Sequence, residues 1–186
     1  MAGPVAHRLS FSPWDPADVD RLVQWVAGQT WDNYVTRRPS PAIVRRRVAA
    51  GHYSGPNCAT WWIGHQDADQ PVGLVRLHDL QDPTALFDVY VCPAWRGQGL
   101  GLAAVRWLTR HVFHAYPAVS RLEAQTRADN WAMRVVLRRA GYVKEAHHRA
   151  SWPTESGELI ASVGYAMLRQ DFETGQTTPV DWDDAP

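Results

Sequence analysis

Three glycines within five residues stand between a predicted β-strand and a predicted helix, an arrangement typical of an anion-binding site. Apolar residues alternate along 86–91 as in a strand. Pro93 ends this strand because proline offers no backbone donor to a sheet. Gly97, Gly99 and Gly101 then lead into the helix. A helix N-terminus presents unpaired N–H groups and a positive dipole end, and glycines let phosphates approach the backbone closely. The stretch therefore predicts a site for a phosphorylated ligand.

Two common phosphate-binding loops do not match this spacing. A dinucleotide-binding loop requires a third glycine where Ala104 stands, and a Walker loop requires a lysine followed by serine or threonine. The single lysine of the sequence, Lys144, is followed by glutamate. The remaining pattern, Arg96-x-x-Gly99-x-Gly101, resembles the pyrophosphate loop of the GNAT acyl-CoA-dependent N-acyltransferases.

A second segment, about thirty residues further on, resembles the same superfamily. Asn130 follows a predicted strand and begins a predicted helix that ends before Gly141. The pattern Asn130-x(10)-Gly141-Tyr142 is similar to the asparagine-x(10)-glycine-aromatic segment of GNAT proteins. The likeness covers about residues 72–168, and its details are similar to the branch that contains the ribosomal-protein N-terminal acetyltransferases.

The pattern of elements and the resemblance agree on the fold class, which is α/β (α+β). We expect one GNAT-like domain over residues 1–172, with a mixed, mostly antiparallel sheet of about seven strands and four helices. The central strands, 86–91 and 121–126, are expected to splay apart, and residues 173–186 to form a mobile tail. The other predicted elements are strands at 7–11, 59–65, 72–80, 142–151 and 158–168 and helices at 15–28, 40–50, 102–113 and 130–140.

The resemblance implies that acetyl-CoA is a co-substrate whose pantetheine arm lies between the splayed strands. Backbone groups of Val89, Tyr90 and Val91 would pair with this arm, and Asn130 would contact the cofactor through its amide. Asn130 alternatively acts only as a helix N-cap. The pyrophosphate would bind the loop formed by Arg96, Gly97, Gln98, Gly99, Leu100 and Gly101.

The residues for proton transfer depart from the resemblance. Many GNAT members have a tyrosine seven residues after the helix asparagine, acting as an acid toward the thiolate, and that position is Leu137 here. The ribosomal-protein branch often has a serine three residues after the asparagine, and that position is Met133. The thiolate is therefore expected to leave unassisted, through water, or through another residue.

Four carboxylates are candidates for the base that takes a proton from the amine. Asp88 is the first, because it is a charged residue in an apolar strand beside the expected thioester. Its alternative role is an ion pair with a nearby arginine. Glu123, in the neighbouring strand, is the second, with a similar alternative. Glu155 and Glu158 in the last hairpin are the third, with a solvated turn as their alternative role.

Trp31 and Tyr34 are the predicted substrate-binding residues. They lie in the loop between the first two helices, which overhangs the acceptor site in GNAT proteins. An aromatic wall there would stack on a substrate or make a cation–π contact with an amine. The arginine run 45–47 is instead predicted to form a solvated helix face.

Composition excludes several other classes. The 186 residues are 45% hydrophobic and 20% charged, as in ordinary globular proteins. The formal net charge at pH 7 is zero, which gives no indication of a nucleic-acid partner. The sequence has no apolar run long enough for a membrane span and no signal-peptide core near its start. The two cysteines and eight histidines show no ligand spacing, so we expect no metal and a cytoplasmic location.

One principal hypothesis and three alternatives result. The chain is expected to be an N-acetyltransferase in which a primary amine attacks acetyl-CoA directly in a ternary complex. The amine would belong to a small molecule or a protein N-terminus, and the enzyme would be a monomer or homodimer with no membrane or nucleic-acid partner. The alternatives are a longer acyl-CoA donor, a non-catalytic acyl-CoA-binding sensor, and an unrelated α/β binding domain whose glycines only make a turn.

Overall fold

Seven strands form one sheet in the order β1-β2-β3-β4-β5-β7-β6, in a computed structural model that describes residues 8–182. The strands are β1 (Leu9–Pro13), β2 (Cys58–His65), β3 (Gly73–His78), β4 (Thr84–Val91), β5 (Arg121–Arg127), β6 (Val143–Pro153) and β7 (Leu159–Leu168). The helices are α1 (Val19–Ala27), α2 (Pro41–Ala49), α3 (Leu100–Ala115), α4 (Trp131–Arg139) and α5 (Arg169–Thr174). A short 3-10 turn spans Pro93–Trp95.

The sheet is mixed and mostly antiparallel, as expected. Strands β1 to β4 form an antiparallel meander, β4 and β5 are parallel, and β7 pairs antiparallel with both β5 and β6. The predicted fold class is confirmed, and the structure adds α5, a short fifth helix after β7. The first strand is predicted at residues 7–11, and residue 7 lies outside the described part of the chain.

The central parallel strands separate after a short paired stretch. Strands β4 and β5 are in register only at three residue pairs, from Thr84 with Arg121 to Leu86 with Glu123. Beyond them β4 continues to Val91 and β5 to Arg127 without pairing to each other. The splayed pair predicted from the sequence is therefore present, and it opens the sheet at its centre.

Two hydrophobic cores cover the two faces of the sheet. Successive strand residues point to opposite faces, so Phe87 packs under α3 and α4 while Tyr90 packs against α1 and α2. Helix α3 buries Ala104, Leu108 and Val112 as its pattern predicts. Four tryptophans are buried together in the α1–α2 core: Trp14, Trp25, Trp31 and Trp62.

The first helix begins later than predicted. The Asp15 side chain accepts a hydrogen bond from the Ala17 N–H at 2.8 Å, which makes a turn of the kind aspartate favours rather than a helix cap. Helix α1 starts at Val19, with Asp18 before it. The start of the second predicted helix, at residue 40, is confirmed. Ser40 caps α2 through the Ile43 N–H, and Pro41 is the first helical residue.

The predicted tail overlaps the end of the last helix. Helix α5 extends to Thr174, and Asp171 accepts hydrogen bonds from the backbone and the hydroxyl of Thr178. The predicted mobility of residues 173–186 stays a prediction, and residues 183–186 lie outside the described part of the chain.

Arg169 joins the end of β7 to the C-terminal end of α3. Its guanidinium donates to the carbonyl groups of Phe113, Tyr116 and Val119 at 2.6–2.9 Å. The last carbonyls of a helix lack partners within the helix and carry partial negative charge, so a cation satisfies them.

Replacing Arg169 by methionine is expected to lower the free energy of unfolding by about 2 to 4 kcal/mol, because several hydrogen bonds to a charged group are lost. Urea unfolding measures this difference. Arg149→Met is the matched control, since Arg149 is exposed. Equal stability of the two variants would contradict the role given to Arg169.

Candidate active site

The opening between β4 and β5 is a cleft with a volume of about 360 Å³. It is bordered by the two strands, the glycine loop before α3, helix α4 and the loop between α1 and α2 (residues 28–40). The side chains or backbone of these predicted site residues line it: Trp31, Tyr34, Asp88, Val89, Val91, Arg96, Gly97, Gly99, Leu100, Gly101 and Asn130. The structure therefore gathers most of the predicted cofactor residues around one space.

The glycine loop has the backbone conformation expected of an anion site. Gly97 and Gly99 have φ angles of +77° and +87°, in the left-handed region that favours glycine. Gly99 is the N-cap of α3, and no side chain caps this helix. The first N–H groups of a helix have no partner within it, so those of α3 are available to a ligand in the cleft.

Alternate residues of β4 turn their backbone groups toward the cleft. The N–H of Cys92 donates to Val72 beside β3, and in an antiparallel ladder this direction repeats at every second residue. Val89 and Val91 therefore face the opposite way. In agreement, the Val89 carbonyl accepts a hydrogen bond from the Tyr34 hydroxyl at 2.8 Å, and the Val91 carbonyl accepts one from Arg96 Nε at 3.1 Å.

Two predicted cofactor residues lie outside the cleft lining. Tyr90 directs its backbone toward β3 by the same alternation, and its ring is buried in the α1–α2 core. Gln98 is exposed, and its side-chain amide donates to the Ala94 carbonyl. Neither side chain borders the cleft, and their contact with a cofactor stays a prediction.

Asn130 connects β5 to α4. Its Oδ1 accepts the Met133 N–H at 3.2 Å, which is an N-cap, and its Nδ2 donates to the Thr126 hydroxyl at 2.9 Å. The capping role is thus present, and Asn130 also borders the cleft. Leu137 is fully buried and Met133 lines the cleft, so the usual acid positions carry no proton donor.

Asp32 holds the α1–α2 loop over the glycine loop. Its carboxylate pairs with Arg37 at 2.8 Å and with Arg96 at 3.1 Å, and its carbonyl accepts a hydrogen bond from Arg127. The two guanidinium groups lower the pKa of the Asp32 carboxyl, Arg37 first. Arg96, which is predicted to bind phosphate, therefore contacts the Asp32 carboxylate on the opposite side of the cleft mouth.

A second, smaller cavity of about 180 Å³ lies on the α1–α2 face of the sheet, and we call it the side pocket. Four side chains border both the cleft and the side pocket, namely Trp31, Tyr34, Asp88 and Trp152. The rest of its lining includes Arg47, His52, Arg76 and Tyr90. Because the two cavities share these lining residues, ligands bound in both would lie close together.

Asp88 is held by Arg76 from the neighbouring strand, where the two residues are in register. Arg76 Nε donates to Asp88 Oδ2 at 2.8 Å, Arg76 Nη2 lies 2.6 Å from the same oxygen, and Arg76 Nη1 donates to the His52 carbonyl at 3.0 Å. Burial opposes the charge of Arg76, which is 7% exposed, but Asp88 raises its pKa. The ion pair considered for Asp88 is thus present. Within residues 8–182, no hydrogen bond reaches Asp88 Oδ1.

The other candidate bases have different surroundings. Glu123 pairs with Arg121, which also pairs with Glu145, and Glu123 lines neither cavity. Glu155 accepts the Arg37 N–H at 3.0 Å, and Glu158 is exposed. Of the four carboxylates, Asp88 is the one that borders both spaces.

Trp31 is a core residue as well as a wall of the cleft. It is 2% exposed, and its indole N–H donates to the Val26 carbonyl at 2.9 Å. Tyr34 stacks on Tyr90 with ring centres 4.3 Å apart. Burial raises the pKa of the Tyr34 hydroxyl well above its ordinary value, so the hydroxyl stays protonated.

Sequence reasoning missed four residues of the side pocket. Arg76 had a signal, because a charged residue in a predicted apolar strand faces Asp88 in the predicted meander. Arg47 was assigned to a solvated face, and the structure instead places it half-buried in the pocket wall. No local pattern marks His52 or Trp152, which reach the pocket through long-range packing.

The family comparison agrees with this geometry. A family model described as an acetyltransferase (GNAT) domain matches residues 8–143. The chain belongs to the GNAT acetyltransferase family. The expectation of an enzyme of the N-acetyltransferase class is confirmed. None of the curated protein sequences is significantly similar to this GNAT chain.

Solved structures share the fold at low sequence identity. The ribosomal-protein alpha-N-acetyltransferase RimL, in complex with coenzyme A, has a TM-score of 0.72 and 19% identity, over 89% of this chain and 96% of that chain. At this identity the likeness shows the shared fold, and the ribosomal-protein branch stays a prediction. A dodecameric spermidine N-acetyltransferase SpeG from Vibrio cholerae has a TM-score of 0.73 and 13% identity, over 92% and 99%. A GNAT-family acetyltransferase from Bacillus anthracis has a TM-score of 0.71 and 14% identity, over 88% and 96%.

Residues 8–182 contain neither a cluster of metal ligands nor a helix suited to crossing a membrane. In this part of the GNAT domain, no three His, Cys, Asp or Glu side chains come together as metal ligands would. No helix there has the length and apolarity to cross a membrane. The absence of a metal stays a prediction.

The half-buried imidazole of His52 makes stability depend on pH. Burial and then the nearby Arg76 lower the pKa of His52 from 6.5 to about 4 in the folded state. Below about pH 6.5 the unfolded chain therefore binds a proton at His52 that the folded chain does not bind. The free energy of unfolding falls as the pH is lowered toward 4.

Between pH 7 and pH 5 we expect this group to cost about 1 kcal/mol of unfolding free energy, allowing for its partial exposure. Urea unfolding of the wild type and of His52→Asn at both pH values measures the effect. The variant should lose less stability on acidification, and identical losses would show that another group is responsible.

Proposed function

We propose that this GNAT enzyme transfers an acetyl group from acetyl-CoA to a primary amine by direct attack in a ternary complex. The observation that carries the proposal is the pair of cavities that share Asp88, Tyr34 and Trp152 as a common wall. A donor in the cleft and an acceptor in the side pocket would meet there. A small amine or a protein N-terminus would be the acceptor, and a cytoplasmic monomer or homodimer stays a prediction.

The residues of the cleft fit acetyl-CoA. The uncapped N-terminus of α3 and the open space around Gly97 and Gly99 suit a diphosphate, since a Cβ on either glycine would meet no protein atom within 4 Å. The outward backbone groups of Val89 and Val91 suit a pantetheine amide. Acetyl-CoA supplies the activated acyl thioester.

Asp88 is the proposed base. Both contacts from Arg76 fall on Oδ2, which leaves Oδ1 to accept a proton from the amine. Arg76 fixes the orientation of the carboxylate, because a hydrogen bond from Nε and the ion-pair contact of Nη2 fall on one oxygen. Leu137 and Met133 offer no proton, so we propose that the departing thiolate takes its proton from water.

A non-catalytic acyl-CoA sensor is the second candidate. It is favoured by the ion pair at Asp88 and by the lack of an acid at the usual positions. Turnover with a panel of amines separates this sensor from the enzyme, since a sensor binds acyl-CoA without releasing thiol.

Acetyl-CoA binding is the first test. Ligand at about 100 times its dissociation constant should raise the unfolding free energy by about 2.7 kcal/mol, visible as a thermal shift. Gly99→Ala should weaken the shift, because a Cβ would crowd the phosphates. Gly157→Ala is the matched control, as Gly157 has a similar φ of +83° in the β6–β7 turn. If no acyl-CoA stabilises the wild type, the glycine loop is only a turn. A larger shift with a longer acyl-CoA would identify a different donor.

The role of Asp88 is tested by Asp88→Asn. We expect kcat to fall about 10² to 10⁴-fold with acetyl-CoA binding retained, since the amide cannot take the proton. Glu123→Gln makes the same carboxylate-to-amide change at the other predicted base. The variant with the larger fall in kcat identifies which of the two carboxylates is the base. Thermal unfolding of both variants checks that the released Arg76 charge has not unfolded the protein. Turnover of Asp88→Asn at the wild-type rate would remove Asp88 from the mechanism.

A further inference from the structure

The side pocket has an excess positive charge. Its charged lining residues are Arg47, Arg76 and Asp88, two cations and one carboxylate, which sum to +1. Arg76 is already neutralised by Asp88. His52 adds no charge near neutral pH, because burial holds its pKa at about 4. The charge that is left belongs to Arg47.

Arg47 has no carboxylate partner within residues 8–182, unlike its neighbour in the arginine run. Arg45 pairs with Asp20 at 2.8 Å on the outside of α2. The contacts of Arg47 are with neutral groups, since its Nη2 donates to the Thr36 hydroxyl at 3.2 Å and it lies near the Tyr53 hydroxyl. A half-buried guanidinium with several unused donors is a common carboxylate-binding group.

A second donor without an acceptor borders the same pocket. In the described part of the chain, two buried side-chain polar atoms have no hydrogen-bond partner, and one of them is Trp152 Nε1. The indole ring lies between the cleft and the side pocket. Buried N–H groups are nearly always paired in folded proteins, so Trp152 Nε1 lacks an acceptor that a ligand oxygen or a water would supply.

We propose that the acceptor is a small amine that also carries a carboxylate, such as an amino acid. Arg47 binds the carboxylate with Trp152 Nε1–H as the second donor, and the amine faces Asp88. This inference rests on the proposed function. The volume of about 180 Å³ is below the roughly 300–1,000 Å³ of pockets for drug-sized ligands. A polyamine would instead place a further cation beside Arg47, where like charges repel.

The reaction then balances as follows. The amine first loses its ammonium proton to solvent, and its neutral nitrogen then forms a bond to the acyl carbon while the carbon–sulfur bond breaks. One amine proton passes to Asp88 Oδ1, the sulfur leaves with the electron pair and takes a proton from water, and Asp88 later returns its proton to solvent. The carboxylate bound at Arg47 does not change.

The test compares amino acids with their amides, which carry an amine at the same position but lack the negative charge. Thiol release from acetyl-CoA should show kcat/KM at least about 10²-fold higher for the acids, in keeping with a site built to bind the missing group. In Arg47→Met the acids should lose about 10 to 100-fold in kcat/KM, mainly through KM, and the amides should lose much less. Arg46→Met, the adjacent exposed arginine, is the matched control. Trp152→Phe keeps a ring without the N–H and should lose a smaller factor.

A binding measurement gives a result without turnover. Calorimetry in the presence of CoA compares N-acetylated amino acids with their N-acetylated amides on the wild type, Arg47→Met and Arg46→Met. If the acids bind in an Arg47-dependent way but no amine is acetylated, the carboxylate site stands and the proposed function fails. If amides, polyamines or peptide N-termini are acetylated as well as amino acids, the function stands and this inference is overturned.

Discussion

The separation of β4 from β5 after three residue pairs is the constraint on which the site depends. Two parallel strands that part leave backbone groups without strand partners, and such groups must be satisfied or exposed. Here Tyr34 and Arg96 bind the carbonyls of Val89 and Val91 from two different loops. The same opening puts the N-termini of α3 and α4 at one end of the sheet. The cleft is therefore a consequence of strand geometry, and its walls are the segments that follow the two strands.

Charged groups hold the outer side of the α1–α2 loop over the cleft mouth, and aromatic packing holds its inner side. Asp32 contacts Arg37, Arg96 and Arg127, which belong to the loop itself, the glycine loop and β5. These groups are about half exposed, so each pair contributes little stability on its own. Their joint effect is to orient the loop. Trp31 anchors it from below, because its ring is buried among Trp25 and Tyr90.

The two faces of the sheet contribute different chemical groups to the site. On the α3–α4 face, backbone groups and glycines dominate, which suits a long ligand with a diphosphate. On the α1–α2 face, side chains carry the charges, and the Arg76–Asp88 pair lies in a wall of tyrosine and tryptophan. A buried pair of this kind is weak evidence for stability because desolvation offsets the attraction. Its value here is orientation, since Arg76 occupies one oxygen of Asp88 and leaves the other free.

The sequence by itself determined the features that local geometry controls. The glycine loop, the Ser40 and Asn130 caps, the strand–helix order and the GNAT family follow from residue types at short spacing, because turns and helix ends require particular backbone conformations. Tertiary structure alone decided which side chains meet. It turned Arg47 inward while Arg45 stayed outside, paired Glu123 with Arg121 away from both cavities, buried Trp31, and placed Trp152 beside Asp88. These contacts join residues far apart in the chain, and their direction depends on how helices and strands pack rather than on any local pattern.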